Sequence, residues 1–337
     1  MENANCWQIG AGSFGRDYRA ECFKFGMAFV GGEEHSKTMQ LVRPGELVVL
    51  RKGMEFAAAG TVVERNGAYC GDGDKEWTRD FDGWDLRAWC YVDWHIPLEN
   101  IDVKGLTRTT MERVRQDHLI QVARSVIMNS PQAPKPEPEP APVKSLEDEE
   151  IIDFLISQGL RSADAEDLAA TFRRIRRLAN YYWNHCDWKD VREHEARTFL
   201  VVPLLLALGW AEQQIKIEYS ATKASRADLA LFSRPYPEDD ARCVMVLETK
   251  GFDMGLTFAQ DQVKEYAKEY DRCRTVVATN GYCYKAFTRL SDGSFPDKPS
   301  AYLNLLRPKD RYPLDPEIPG GLEMLRLLQP SGCRDEH

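Results

Sequence analysis

The chain has 337 residues, 43% of them hydrophobic and 29% charged, which suffices for two cores at about 150 residues per domain and excludes a disordered tail. Its formal charge of −9 argues against a protein that coats nucleic acid by bulk attraction. Nine cysteines without a C-x-x-C pair, no apolar run of spanning length and no signal-peptide pattern lead us to expect a soluble cytoplasmic protein with reduced thiols and no membrane partner.

Residues 1–105 read as a small β-rich domain. Apolar runs at 26–30, 46–50, 60–63 and 89–94 are separated by Gly31-Gly32, Pro44-Gly45 and Gly71-Asp72-Gly73. Gly10-Ala-Gly12-Ser-Phe-Gly15 matches G-x-G-x-x-G, but no H-R-D or D-F-G follows. Residues 16–26 read as another strand rather than the helix that a dinucleotide site requires, so no nucleotide loop is expected there. Five of the eight tryptophans, Trp7, Trp77, Trp84, Trp89 and Trp94, precede residue 95. Their mixed odd and even spacing cannot bury all of them on one face with period two. Surplus aromatics beside Asp82 and Asp85 suit a pocket that stacks a flat base and bonds its edge, which makes Trp7, Trp84, Asp85, Trp89 and Trp94 base-binding candidates. Residues 106–130 follow as a connecting helix, with an imperfect apolar face over 107–128.

The clearest landmark is PQAPKPEPEPAP over 131–142, six prolines in twelve residues. Residues 131–145 are therefore expected to be a stiff, polyproline-like spacer. The segment 131–150 also carries −4 of the net charge, against −3 before it and −2 after it. Helices are expected over 146–158, from a cap at Ser162, and over 188–208. Strands are expected at 215–219, 227–232, 243–248, 275–278 and 283–288, with a helix at 258–270 between the third and fourth. That order is the order of an α/β sandwich around a mixed sheet, occupying 146–330. The whole chain is thus expected to be α+β, a small β-barrel followed by an α/β sandwich.

The sharpest chemical signal lies in that second part. Arg226-Ala-Asp228-Leu-Ala-Leu231 precedes Val244-Met-Val-Leu-Glu248-Thr-Lys250. On a strand, residues i and i+2 share a face, so Glu248 and Lys250 project together from the end of an apolar run, and Asp228 lies on the preceding strand. Carboxylates brought together in this way call for a cation, and hard oxygen donors select Mg²⁺ or Mn²⁺. Glu193, on the helix before the apolar run 199–207, can add a third carboxylate, so the expected metal ligands are Asp228, Glu248 and Glu193. Arg173 and Arg177, with Arg174 and Arg176, can reach backbone phosphates from the preceding helix.

From Glu193 to about Thr288 the sequence resembles the N-terminal nuclease domain of type I restriction enzyme motor subunits, within the PD-(D/E)xK nuclease superfamily. The motifs are Glu193-x-x-x-Arg197 with the following Pro203-Leu-Leu-x-x-Leu-Gly-Trp210, the Asp228 strand, Glu248-Thr-Lys250, Gln262-x-x-x-Tyr266 and Thr279-Asn280-Gly281. The resemblance implies a metal-dependent site of Asp228, Glu248 and Lys250 assisted by Glu193, with Gln262 and Tyr266 approaching DNA. The helicase motor of that group is absent from the 337 residues, and Ala227-Asp228 stands where Pro-Asp is usual. In the first 95 residues, Trp7-Gln-Ile-Gly-Ala-Gly12, Gly45-Glu-Leu-Val-Val-Leu50 and Gly60-Thr-Val-Val63 resemble the EVE and PUA-like group, whose small barrels hold modified bases in an aromatic pocket.

Together these readings lead us to expect a modification-dependent DNA endonuclease of anti-phage restriction, using Mg²⁺ or Mn²⁺ and working as a homodimer to cut both strands. Two alternatives stand beside it. In one, the nuclease is kept and the barrel senses RNA, a nucleotide signal or a protein partner. In the other, the chain binds nucleic acid without cutting it.

Overall fold

This computed structural model describes residues 4–12, 15–185, 190–220, 226–238 and 241–333. The protein is a mixed α+β structure of two compact units, Met1–Ala141 and Pro142–His337.

The first unit is built on one curled sheet. Its strands are β1 (Cys6–Gly10), β2 (Met27–Val30), β3 (Leu47–Lys52), β4 (Glu55–Val62), β5 (Cys70–Asp72), β6 (Ala88–His95) and β7 (Met111–Val114). They run in the order β2-β6-β4-β3-β1-β7, with β5 added on β6. β1 and β3 pair in parallel and the other pairs are antiparallel. Helix α1 (Arg19–Phe25) precedes β2 and helix α2 (Glu33–Met39) follows it. Helix α3 (Asp117–Asn129) lays Leu119, Ala123 and Val126 on Cys6, Val49, Phe56 and Ala59. That i, i+4, i+7 stripe is the apolar face that a surface helix must cover, at about 1.5–3 kcal/mol for each large aliphatic side chain buried.

Three expectations are corrected here. Residues 16–26 are not a strand. Cys22 and Phe25, buried at i and i+3, mark a helix over Arg19–Phe25, and Gly26 closes it at φ 58°. The region 107–128 is not one helix, because β7 pairs antiparallel with β1 before α3 begins. Nor is the proline-rich segment a free spacer up to 145. Two of its residues that keep an N–H use it on the unit beneath: Ala133 donates to the Trp94 carbonyl and Glu137 to the Lys24 carbonyl, each at 2.8 Å. The Pro131 carbonyl accepts from Ile96 at 3.1 Å. Proline alternation has produced an extended strap along the first unit, ending at the unit boundary after Ala141.

The second unit opens with α4 (Asp148–Ser157) and α5 (Ser162–His185). Ser162 is the first residue of α5 rather than its cap. The expected start of the next helix at Trp188 lies outside the described residues. From Glu193 the chain is helical as α6 (Glu193–Ala196), a π-helical turn (Arg197–Val201) and α7 (Val202–Ala207). Pro203 has no N–H for the Phe199 carbonyl, which favours the wider turn at that point. Strands β8 (Ile215–Tyr219), β9 (Ala227–Phe232), β10 (Cys243–Thr249), β11 (Thr275–Thr279), β12 (Cys283–Thr288) and β13 (Ala301–Asn304) form one sheet in the order β13-β12-β11-β10-β9-β8. Only β10 and β11 pair in parallel, and α8 (Thr257–Ala267) is the crossover between them. Every residue of β9, β10 and β11 is buried, as a strand covered on both faces requires. Residues 301–328 add elements not expected from the sequence: β13, a small ribbon of β14 (Arg311–Tyr312) and β15 (Asp315–Pro319), and α9 (Gly321–Leu328), whose Leu328 carbonyl accepts from Trp210 Nε1 at 2.7 Å. Among the described residues no helix is long and apolar enough to cross a membrane.

Candidate active site

The ends of β9 and β10 bring most of the expected residues of the second unit together. Antiparallel pairing sets Leu229 opposite Leu247, so Asp228 and Glu248 lie next to one another on neighbouring strands. The register is locked by the site itself, since Asp228 Oδ2 accepts the Thr249 N–H at 2.6 Å. On the other side of β10, the Lys250 N–H donates to the Thr279 carbonyl of β11 at 2.7 Å. Lys250 Nζ then reaches back to Glu248 Oε1 at 2.5 Å and across to Gln262 Oε1 at 3.0 Å. Gln262 Nε2 donates in turn to the Tyr266 hydroxyl, one turn further along α8. Glu248, Lys250, Gln262 and Tyr266 thus form one continuous polar chain.

Glu193, expected inside a helix, is the first residue of α6. It still joins the cluster. Burial and then the Asp228 carboxylate raise the Glu193 carboxyl above its ordinary range. Glu248 is 3% exposed, and burial followed by the Asp228 charge pushes it up to about 7, against the opposing pull of Lys250. Two raised carboxyls are the mark of negative charge packed faster than solvent or partners can neutralise it.

The sequence reading gave Arg197 no role, although it stands in the quoted Glu193-x-x-x-Arg197 motif. Its side chain is 9% exposed, and Nη1 donates to Asp228 Oδ1 at 2.9 Å while Nη2 donates to Glu218 Oε1 at 3.2 Å. Glu218 holds φ at 55° and also pairs with Arg226. A helix pair at i, i+4 was the only signal, and it points to Glu193, not across to the sheet.

The donor chemistry suits a hard divalent cation: three carboxylates, Glu193, Asp228 and Glu248, face two cationic side chains, Arg197 and Lys250. As the side chains stand, however, Arg197 and Lys250 take carboxylate oxygens that a cation would use. Among the described residues no three His, Cys, Asp or Glu side chains are grouped as metal ligands. Arg173 and Arg177 are exposed on α5. Arg176 is tied to the Leu305 carbonyl at 2.6 Å and to Asp148 at 2.5 Å, which gives it a structural role.

In the first unit the expected base-binding set is divided. Trp7 and Trp94 are 5% and 1% exposed, with their N–H groups on Glu46 Oε2 at 2.7 Å and on the Met27 carbonyl at 3.3 Å, so they fill the core. Glu46 also accepts from Asn5 and from the Arg43 N–H, an anchoring role for the glutamate after Gly45. Trp89 is buried and bonded to Asp74 at 2.8 Å. Asp85 is held by Arg79. Trp84 alone of the set's tryptophans is half-buried, and with Gly10, Gly12, Tyr18 and Phe29 it lines a small cleft, the Arg16 guanidinium lying 4.8 Å over its ring.

No family model matches the chain, and no curated protein matches it. Among solved structures, protein Atu2648 from Agrobacterium tumefaciens aligns at 14% identity over 39% of this chain and all of its own, with a TM-score of 0.24. A likeness at that level carries no argument about fold or function.

Proposed function

We propose that the protein is a metal-dependent DNA endonuclease of the PD-(D/E)xK type, directed to modified DNA by a PUA-like first unit. The observation that supports this reading is the meeting of Glu193, Asp228, Glu248, Lys250 and Gln262 at the ends of β9 and β10. Asp228 and Glu248, with Glu193, would hold Mg²⁺ or Mn²⁺, which supplies Lewis-acid neutralisation of a phosphorane when bound. Lys250 Nζ, oriented by Gln262, lies where an ammonium can position the attacking water and balance charge on the phosphate oxygens. Arg197 holds Asp228 in register, and Tyr266 sets the rotamer of Gln262. Hydrolysis forms one P–O bond to water and breaks one to the sugar oxygen, which leaves with a proton. Cutting both strands requires two such sites, hence a homodimer.

The test is cleavage by the full chain in Mg²⁺ of phage DNA carrying modified bases against unmodified DNA. Preferential cutting of the modified DNA is expected, with Asp228→Ala and Lys250→Ala each slower by about a hundredfold or more. Equal or absent cutting of the two DNAs sinks the reading. A second reading, nucleic-acid binding without hydrolysis, is favoured by one observation: both Asp228 oxygens already accept bonds from Arg197 and Thr249. It requires that the same two variants leave the biological effect intact.

A further inference from the structure

The proline-rich strap ends in a contact that its backbone bonds do not explain. Glu139 places its carboxylate among three donors of the first unit. Lys75 Nζ lies 2.7 Å from both Oε1 and Oε2, Tyr91 donates its hydroxyl to Oε1 at 2.5 Å, and Trp77 Nε1 donates to Oε2 at 3.1 Å. The Lys75 ammonium is 4.2 Å over the Trp89 ring and 5.3 Å over that of Tyr91, and the two rings are 4.7 Å apart. Side chains of Lys75 and Glu139 are 16% and 28% exposed. Burial pushes the Glu139 carboxyl up, yet the bonds from Lys75, Tyr91 and Trp77 outweigh it and hold the group below its ordinary range.

A carboxylate gathering four charge-assisted or polar bonds is well matched. The segment that delivers it is weakly held elsewhere. Of the strap beyond Ala133, one backbone N–H, that of Glu137, bonds to the unit, and Glu137 itself makes a loose pair with Lys24 at 3.5 Å on the surface. The cradle is built into the sheet, with Tyr91 and Trp89 on β6, whereas its occupant arrives on the strap.

We infer that the Lys75–Trp77–Tyr91 cradle is an anion-binding site for the phosphate of a nucleotide, and that Glu139 fills it in the ligand-free chain. An ammonium, an indole N–H and a phenol aimed at one point match the oxygens of a phosphate. The choice of a nucleotide over an acidic peptide rests on the DNA substrate proposed above. Strap and ligand then compete for one place, and the apparent affinity is lowered by the fraction of chains in which the strap is released.

The experiment is anisotropy of a labelled DNA oligonucleotide with the full chain in EDTA, with dAMP and a Pro-Glu peptide as competitors. Glu139→Gln is expected to bind about tenfold tighter than the unaltered chain. Glu137→Gln, the charge-matched control, gains nothing. Adding Lys75→Met to Glu139→Gln removes the gain, and where that variant folds poorly, Tyr91→Phe in the same background lowers it severalfold. Competition by dAMP assigns the site to free nucleotides as well as strands; without it the strand phosphate is the ligand. The inference is overturned if Glu139→Gln binds no tighter, if the gain survives loss of Lys75, or if only the peptide gains. Binding in EDTA is read without cleavage. A chain that behaves in this way but cuts no DNA in Mg²⁺ would therefore lose the nuclease reading and keep this site.

Discussion

Glu248 is a carboxyl placed where ionisation is costly, and the sign of that cost can be measured. Its folded value of about 7 lies above the ordinary 4.5, so the folded state binds the proton more tightly than the unfolded one. The stabilisation from the protonated form is complete below about pH 4.5 and is lost as pH rises to about 7, on the order of 3 kcal/mol for such a shift. In metal-free protein, thermal unfolding of the Glu248→Gln variant should therefore lack the decline that the unaltered chain shows across that window. Parallel curves would mean that Glu248 ionises freely in the folded state. At this scale the sequence was informative where two residues share a strand face: Glu248 and Lys250 meet as the i, i+2 rule requires. It was silent on Arg197, because the bond to Asp228 spans 31 positions and joins a helix to a sheet. Trp7 and Trp94 lie in the core for a related reason. Period-two counting assigns faces to a flat strand, whereas a curled sheet has an interior that takes Trp7 and Trp94 from different strands.

Between elements, the site depends on how the π-helical turn sits against the turn after β11. Gly281 holds φ at 97°, and a Cβ there would stand 2.6 Å from Leu200 Cδ1 and 3.4 Å from Ala196 Cβ. Leu200 lies in the same π-helical turn that begins with Arg197, so pushing it moves the guanidinium that holds Asp228. Gly281→Ala should cost about 1–3 kcal/mol in chemical denaturation, from strain at positive φ plus the displaced leucine. It should also lower the proposed nuclease activity beyond what its stability loss explains. An unaltered denaturation midpoint would show that the turn yields freely. The five strands expected in the second unit all form: β9, β10 and β11 as apolar runs buried on both faces, β12 buried except at Thr288, and β8 as a partly exposed edge strand held by its pairing with β9. Elements that escaped notice are short or amphipathic without strong stops, as with α1 of seven residues and β14 of two. There, tertiary cover decides what local propensity leaves open.

Over the whole molecule, the division into two units follows the composition break but not at the point where composition placed it. Proline fixes φ and removes donors, so a run such as PKPEPEP cannot enter a sheet, yet nothing prevents it from lying along one. Pro136 does so at close range, with its Cγ 2.6 Å from where a Cβ on Gly26 would stand. The first unit therefore ends at Ala141, and a fragment of residues 1–130 has lost part of its own surface cover. Its missing backbone bonds and the Glu139 contact are each worth about 0.5–3 kcal/mol, offset by the entropy of ordering the strap. Denaturant unfolding should find fragment 1–130 less stable than fragment 1–141 by about 1–3 kcal/mol, and Glu139→Gln in the longer fragment should remove only part of that difference. If the two fragments unfold at the same midpoint, the strap contributes no net stability and the segment behaves as the open spacer its composition suggests. If the longer fragment is more stable and Glu139→Gln removes the whole difference, the carboxylate is the sole latch, and release at that one residue frees the strap as far as Pro131.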